Sequence, residues 1–198
     1  MQIKNIENVS IPIPESYRDC FVLIKSDAYR YLGGMISIKS LLKLYIKNSC
    51  FVYNFWLRLS SYDGMFKIPF KIMQRHYSNK YGIFIPSETK IGYGFFIGHN
   101  CGIVINPTAV VGNNVNISQF TTIGSNDGQA AIIDDEVYIG PGVSIVENVR
   151  IGKRATIGAG AVVVKDVNAE ATVAGVPAKQ ISLKDPGRYI GNIFNPNL

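Results

Sequence analysis

The sequence predicts a mainly β chain: a triangular parallel β-helix wound in six-residue steps, preceded by a small α-helical domain. Ile or Val recurs every sixth residue over a long stretch, Gly repeatedly follows that anchor, and the spacing turns helical before residue 83. The anchors are Ile85, Ile91, Ile97 and Ile103, then, after two extra residues near Pro107, Val111, Ile117 and Ile123. After four more residues within 125–132 come Ile133, Ile139, Ile145, Ile151, Ile157 and Val163. A period of six matches neither the 3.6 of an amphipathic helix nor the two of a half-buried strand. It matches a hexapeptide solenoid, in which each step gives one short strand and one corner and the anchors stack inside. Gly after the anchor, at 92, 98, 112, 124, 140, 152 and 158, suits a corner with an unusual φ or a close backbone approach. The two interruptions read as loops outside the coil, where a rigid solenoid carries chemistry.

The elements follow in order. Residues 1–15, with Pro12 and Pro14, read as an extended arm. Tyr17, Cys20, Phe21, Ile24, Ala28 and Tyr31 have helical spacing, and Gly33-Gly34 ends that helix. A second helical region spans about 37–62, with Phe51, Phe55 and Leu59 on one side and Lys39, Lys43 and Lys47 on another; a third spans 69–77. The domains are therefore 1–82 helical, 83–168 solenoid with loop 125–132, and 169–198 an irregular, mobile tail.

Charge divides with the domains. Residues 1–82 carry 12 Lys/Arg against 5 Asp/Glu, and the remainder 8 against 9. A basic, aromatic-rich helical face suits peripheral contact with an anionic membrane, while the competing reading has the aromatics capping the first coil. Net charge without a fold signature gives no nucleic-acid function. No run of eighteen apolar residues exists and the first residues lack the order of a secretory signal, so the chain is expected in the cytoplasm. Three unpaired cysteines, Cys20, Cys50 and Cys101, agree with reduced thiols, and Cys101 falls in the small inward column as a core residue. The two histidines, His76 and His99, are too few for a metal cluster.

Several blocks then carry a resemblance: 25–31, 80–86, Ile97-Gly98-His99-Asn100-Cys101-Gly102 onward to Asn106, 114–119, Thr121-Thr122-Ile123-Gly124, 157–163 and Ala174-Gly175-Val176-Pro177-Ala178-Lys179. The chain resembles the hexapeptide-repeat acyltransferases, specifically the serine-acetyltransferase-like group that includes capsule and exopolysaccharide O-acetyltransferases. The resemblance implies a left-handed β-helix, a homotrimer or dimer of trimers, and acetyl-CoA in the groove between neighbouring solenoids. It implies His99 as catalytic base, which suits imidazole, the side chain that titrates near neutrality. It also implies Gly124, Ser125, Pro141, Gly158, Ala159 and Lys179 as neighbours of acetyl-CoA, and Asp27 on the acceptor side. Arg30, Arg58 and His76 are expected at the acceptor entrance.

Two departures bear on the acceptor. Where the family has an aspartate that orients the histidine, Phe84 stands here, leaving Asp27 and Asn106 as candidates for that task. Where the family has Arg-His before Pro, Gln129-Ala130-Ala131 stands here, without a cation for a free carboxylate. The expected activity is O-acetylation of a sugar or polysaccharide precursor. The alternatives are serine or another small acceptor such as an antibiotic or amino sugar, or a trimeric scaffold without activity.

Overall fold

The computed structural model describes residues 1–126 and 128–196; the last two residues of the predicted tail and Asp127 of the predicted loop lie outside them. A hairpin, β1 (Gln2–Ile6) and β2 (Val9–Ile13), comes first. The sequence alone reads this segment as an extended arm. Val9 and Ile11 bury themselves against Val110 and Ile132 of the solenoid, and that cover turns the arm into a pair of strands.

Four helices follow. In α1 (Tyr17–Leu32), Ser16 accepts from the Asp19 N–H and Gly33 ends the helix at φ +69. The predicted second region is two helices, α2 (Ile38–Lys47) and α3 (Ser49–Ser60). Asn48 separates them because it leaves the helical conformation and its side chain caps α3 by accepting from the Phe51 N–H. The last, α4 (Lys67–Tyr81), exceeds its predicted bounds and stops at Gly82 in the left-handed conformation. Cys50, Tyr53 and Leu57 of α3 join the core of the first coil, with Tyr31, Tyr77 and Tyr81 against them. The aromatic helices thus cap the open end of the solenoid. On the far side of α2, Ile38, Leu42 and Ile46 stay exposed beside Lys39, Lys43 and Lys47.

The solenoid has three parallel faces. The first is β4 (Lys90–Ile91), β7 (Val110–Val111), β10 (Ile132–Ile133) and β13 (Arg150–Ile151). The second is β5 (Phe96–Ile97), β8 (Asn116–Ile117), β11 (Tyr138–Ile139), β14 (Thr156–Ile157) and β16 (Thr172–Ala174), with β17 (Lys179–Ser182) antiparallel at its end. The third is β3 (Ile83–Phe84), β6 (Ile103–Ile105), β9 (Thr122–Gly124), β12 (Ser144–Val146) and β15 (Val162–Val163). It is a left-handed parallel β-helix of about four coils, with the Ile and Val anchors stacked as one core.

Register corrects one anchor. Ile105 pairs with Ile123, while Ile103 pairs with Ile83, two residues before the anchor Ile85. The two extra residues therefore lie between Ile97 and Ile103, in the corner that holds His99, rather than near Pro107. Cys101 belongs to that enlarged corner and not to the inward column: it is exposed, at φ +97.

Several of the glycines after the anchors serve close approach, Gly98 and Gly124 excepted. A Cβ on Gly92, Gly112 or Gly152 would stand 2.4–2.7 Å from the next coil's atoms. Positive φ falls two residues later, at Gly94, Asn114, Glu136, Arg154 and Glu170. Past residue 168 β16 continues the second face, so the solenoid outruns its predicted end. The remainder returns along that face, where Asn116 donates to the Tyr189 carbonyl and Asn114 exchanges two bonds with Phe194. These polar side chains hold the tail that composition alone reads as mobile.

Candidate active site

His99 stands where the second face turns into the third. The two inserted residues lift this corner out of the coil, and the His99 side chain is exposed with no hydrogen bond to another described residue. The same edge continues upward through a ladder of backbone bonds: Phe120 N–H to Cys101 O, Gly142 N–H to Gln119 O, Gly160 N–H to Pro141 O, and Val162 N–H to Gly175 O. Pro141, Gly158 and Ala159 therefore share the His99 edge. Phe120 stands exposed in the corner directly above His99, the next two corners carry only Gly140-Pro141-Gly142 and Gly158-Ala159-Gly160, and a Cβ on Gly160 would meet nothing within 4 Å. Such an edge lets a long ligand lie against backbone. Lys179, exposed at the start of β17 and paired with Ala174, ends the row.

Gly124 and Ser125 lie at the next edge, between the third and first faces. There Ser125 Oγ donates to Glu147 at 3.0 Å, and residues 104–107, 123–126, 146 and 147 line a cavity of about 440 Å³. Within one chain the two edges are separated by the width of the third face. Asn106 belongs to this second edge. Its Nδ2 donates to the Ser125 carbonyl and its Oδ1 accepts from Thr108 N–H and Oγ1–H, so it is not available to orient His99. The loop that follows is tied down by Gln129 donating to the Thr108 carbonyl and by Ala130 N–H donating to Thr108 Oγ1. Ala130 and Ala131 are fully buried.

Asp27 and Arg30 are corrected from acceptor residues to clamps. Asp27 is fully buried, accepts from Arg58 Nε and Nη2 at 2.8 and 2.9 Å, and accepts from the Phe95 N–H at 2.8 Å. Burial pushes its carboxyl up from the ordinary value while the two Arg58 bonds pull it back. Arg58 spends its other bonds on the Ile91 and Gly92 carbonyls. Arg30 donates to Gly94 O, Asn116 Oδ1 and Gly191 O, and burial draws its guanidinium down to about 10. These groups fasten the helical domain to the first coil. His76 packs edge-on against Tyr77 at 5.0 Å. Gln119 escaped the sequence reading: it lies at the His99 edge one coil up, and its Oε1 is buried without a partner among the described residues. Only the coil register could have revealed it.

Residues 130–165 match the bacterial transferase hexapeptide (six repeats) family. The crystal structure of Neisseria gonorrhoeae serine acetyltransferase in complex with serine has a TM-score of 0.72 and 31% identity, over 83% of this chain and 70% of that one. The chain belongs to the hexapeptide-repeat acyltransferases. Curated relatives with similar sequences are the serine acetyltransferases of Synechococcus elongatus, 36% identical over 50% of this chain, and Escherichia coli strain K12, 38% identical over 57%. The matched stretch spans 43% of each of those two relatives, less than half their length. In this hexapeptide-repeat acyltransferase the enlarged corner holds His99, β3 carries Phe84, and residues 129–131 carry no cation.

Proposed function

We propose that the chain is an acetyl-CoA-dependent O-acetyltransferase with His99 as general base. The observation that carries this is an exposed imidazole, without a hydrogen bond to another described residue, in the two-residue insertion, at the foot of an edge whose corners at 140–142 and 158–160 are built of Gly, Pro and Ala. His99 takes the proton of the acceptor hydroxyl as its oxygen attacks the acetyl carbonyl; the C–O bond forms, the C–S bond breaks, and the proton passes to the departing thiolate. With Asp27 and Asn106 committed elsewhere, Gln119, whose Oε1 lies buried without a partner among the described residues one coil above, is the residue proposed to fix the ring's tautomer. Acetyl-CoA would lie along the edge of Pro141, Gly158 and Ala159, with Lys179 toward its phosphates. Gly124 and Ser125 of a neighbouring chain would form the other wall in a homotrimer.

The relatives' names support serine as acceptor over the sugar expected from the sequence. The argument against serine rested on the missing loop cation, yet α4 presents Lys71 and Arg75 beside the third face. A sugar hydroxyl remains the second reading because the groove there, about 610 Å³ with Phe84 half-exposed on its floor, is larger than serine requires. Thiol release from acetyl-CoA with serine and with nucleotide- and lipid-linked sugars separates the two. His99→Ala should lower turnover at least about 100-fold with the fold intact; turnover equal to wild type would remove His99 from the mechanism.

A further inference from the structure

A groove of about 610 Å³ lies between α4 and the first coils of the third face. Its floor is apolar, with Phe84 49% and Val104 44% exposed. Its wall carries Lys71 and Arg75, four residues apart and so on one side of α4. Lys67, one turn earlier, pairs with Asp63 at 2.7 Å. Lys71 and Arg75 make no ion pair or hydrogen bond among the described residues. Like charges one turn apart repel, and an anion held between them removes that cost. Glu88, which accepts from Ser87 at 3.2 Å, is the only acid among the described lining residues, so the groove is net cationic.

Position links this groove to the chemistry. The His99 corner ends at Gly102, two residues before Val104, which is about 7 Å of extended chain. A ligand with its anion on the helix wall and its body over Phe84 and Val104 follows a lining that runs on through Pro86, Ser87 and Glu88 to the edge between the third and first faces, the edge that would meet the His99 corner of a neighbouring chain in the proposed trimer. We infer that Lys71 and Arg75 form the anion subsite of the acceptor, taking the carboxylate or phosphate group of a small hydroxyl compound and replacing from α4 the cation that loop 125–132 lacks. This rests on the acyl-transfer reading for its purpose, and the site itself can be tested by binding alone.

Calorimetric titration of the full chain compares serine with serine methyl ester, and glucose 1-phosphate with glucose. Each pair differs in the anion. The charged member of at least one pair should bind at least about ten-fold tighter, as expected for a charge-assisted contact, with the pair identifying carboxylate or phosphate. Lys71→Ala combined with Arg75→Ala should bring that ligand to the level of its uncharged partner. Both side chains are exposed, so the melting curve should not move. Equal affinities within both pairs, or a preference that survives the double substitution, would overturn the assignment. Loss of acyl transfer in all assays with the binding preference intact would instead count against the proposed activity and leave the anion site standing.

Discussion

Cys101 lies two residues past His99 with its backbone at φ +97 and its side chain in solvent, whereas Cys20 and Cys50 are buried. Thiolate is the reactive form, and burial pushes the Cys20 thiol up to about 11 and raises that of Cys50. A disulfide reagent at neutral pH should therefore titrate one thiol per native chain quickly and the other two only after unfolding. A second fast thiol would show that α1 or α3 opens from the first coil. The Asp27–Arg58 pair is the physical reason to expect a closed domain. Removing one partner of a buried ion pair costs about 3–5 kcal/mol because the other charge is left uncompensated, and here the orphan would also lose its bonds to the first coil. Neither role was legible from residue type. An aspartate and an arginine on basic helices look the same in sequence whether they face a ligand or lock two elements together.

Within the coils, the space left by each glycine decides which substitutions the stack accepts. A Cβ on Gly152 would sit 2.4 Å from the Ala169 nitrogen, which is backbone and cannot turn aside. Gly152→Ala should destabilise by about 1–3 kcal/mol. On Gly124 the nearest atom is a Thr122 methyl at 3.8 Å, and Gly124→Ala should stay within about 0.5 kcal/mol. Urea midpoints of the two variants check the contrast, and equal shifts would mean that the coils adjust freely. The hexad period, the Gly33 stop of α1 and the helical cap on the first coil were readable, because each rests on local spacing, whereas the Asn48 cap between α2 and α3 was hidden in a continuous apolar pattern. The position of the insertion was not: Ile103 and Ile105 are both buried, so hydrophobicity fits either register, and only strand pairing selects Ile105. The hairpin and the returning tail were missed for a related reason. Their partners lie roughly a hundred residues away, at Val110 and Ile132 for Val9 and Ile11, and at Arg30, Asn114 and Asn116 for the tail.

The three faces of the whole molecule are unequally covered. The hairpin packs on the first face, and α1 and the returning tail pack on the second, through Arg30, Tyr189 and Phe194. The third face has α4 only at its foot, and its outward row of Phe84, Val104, Thr122, Ser144 and Val162 is partly or fully exposed. Packing the upper part of this row, Thr122, Ser144 and Val162, between chains would remove surface from water, leave the groove over Phe84 and Val104 open, and bring the His99 edge of one chain toward the Gly124 edge of another, as the proposed trimer requires. Thr122→Glu combined with Val162→Glu places charges on this row without touching the inward stack. Light scattering should give a trimer mass for the wild type and a monomer mass for the double variant, with circular dichroism unchanged. Acyl transfer should fall with the trimer, because each proposed site takes one wall from a neighbour. A trimeric variant would move the interface to another face, and a monomeric wild type with full turnover would confine the whole site to one chain.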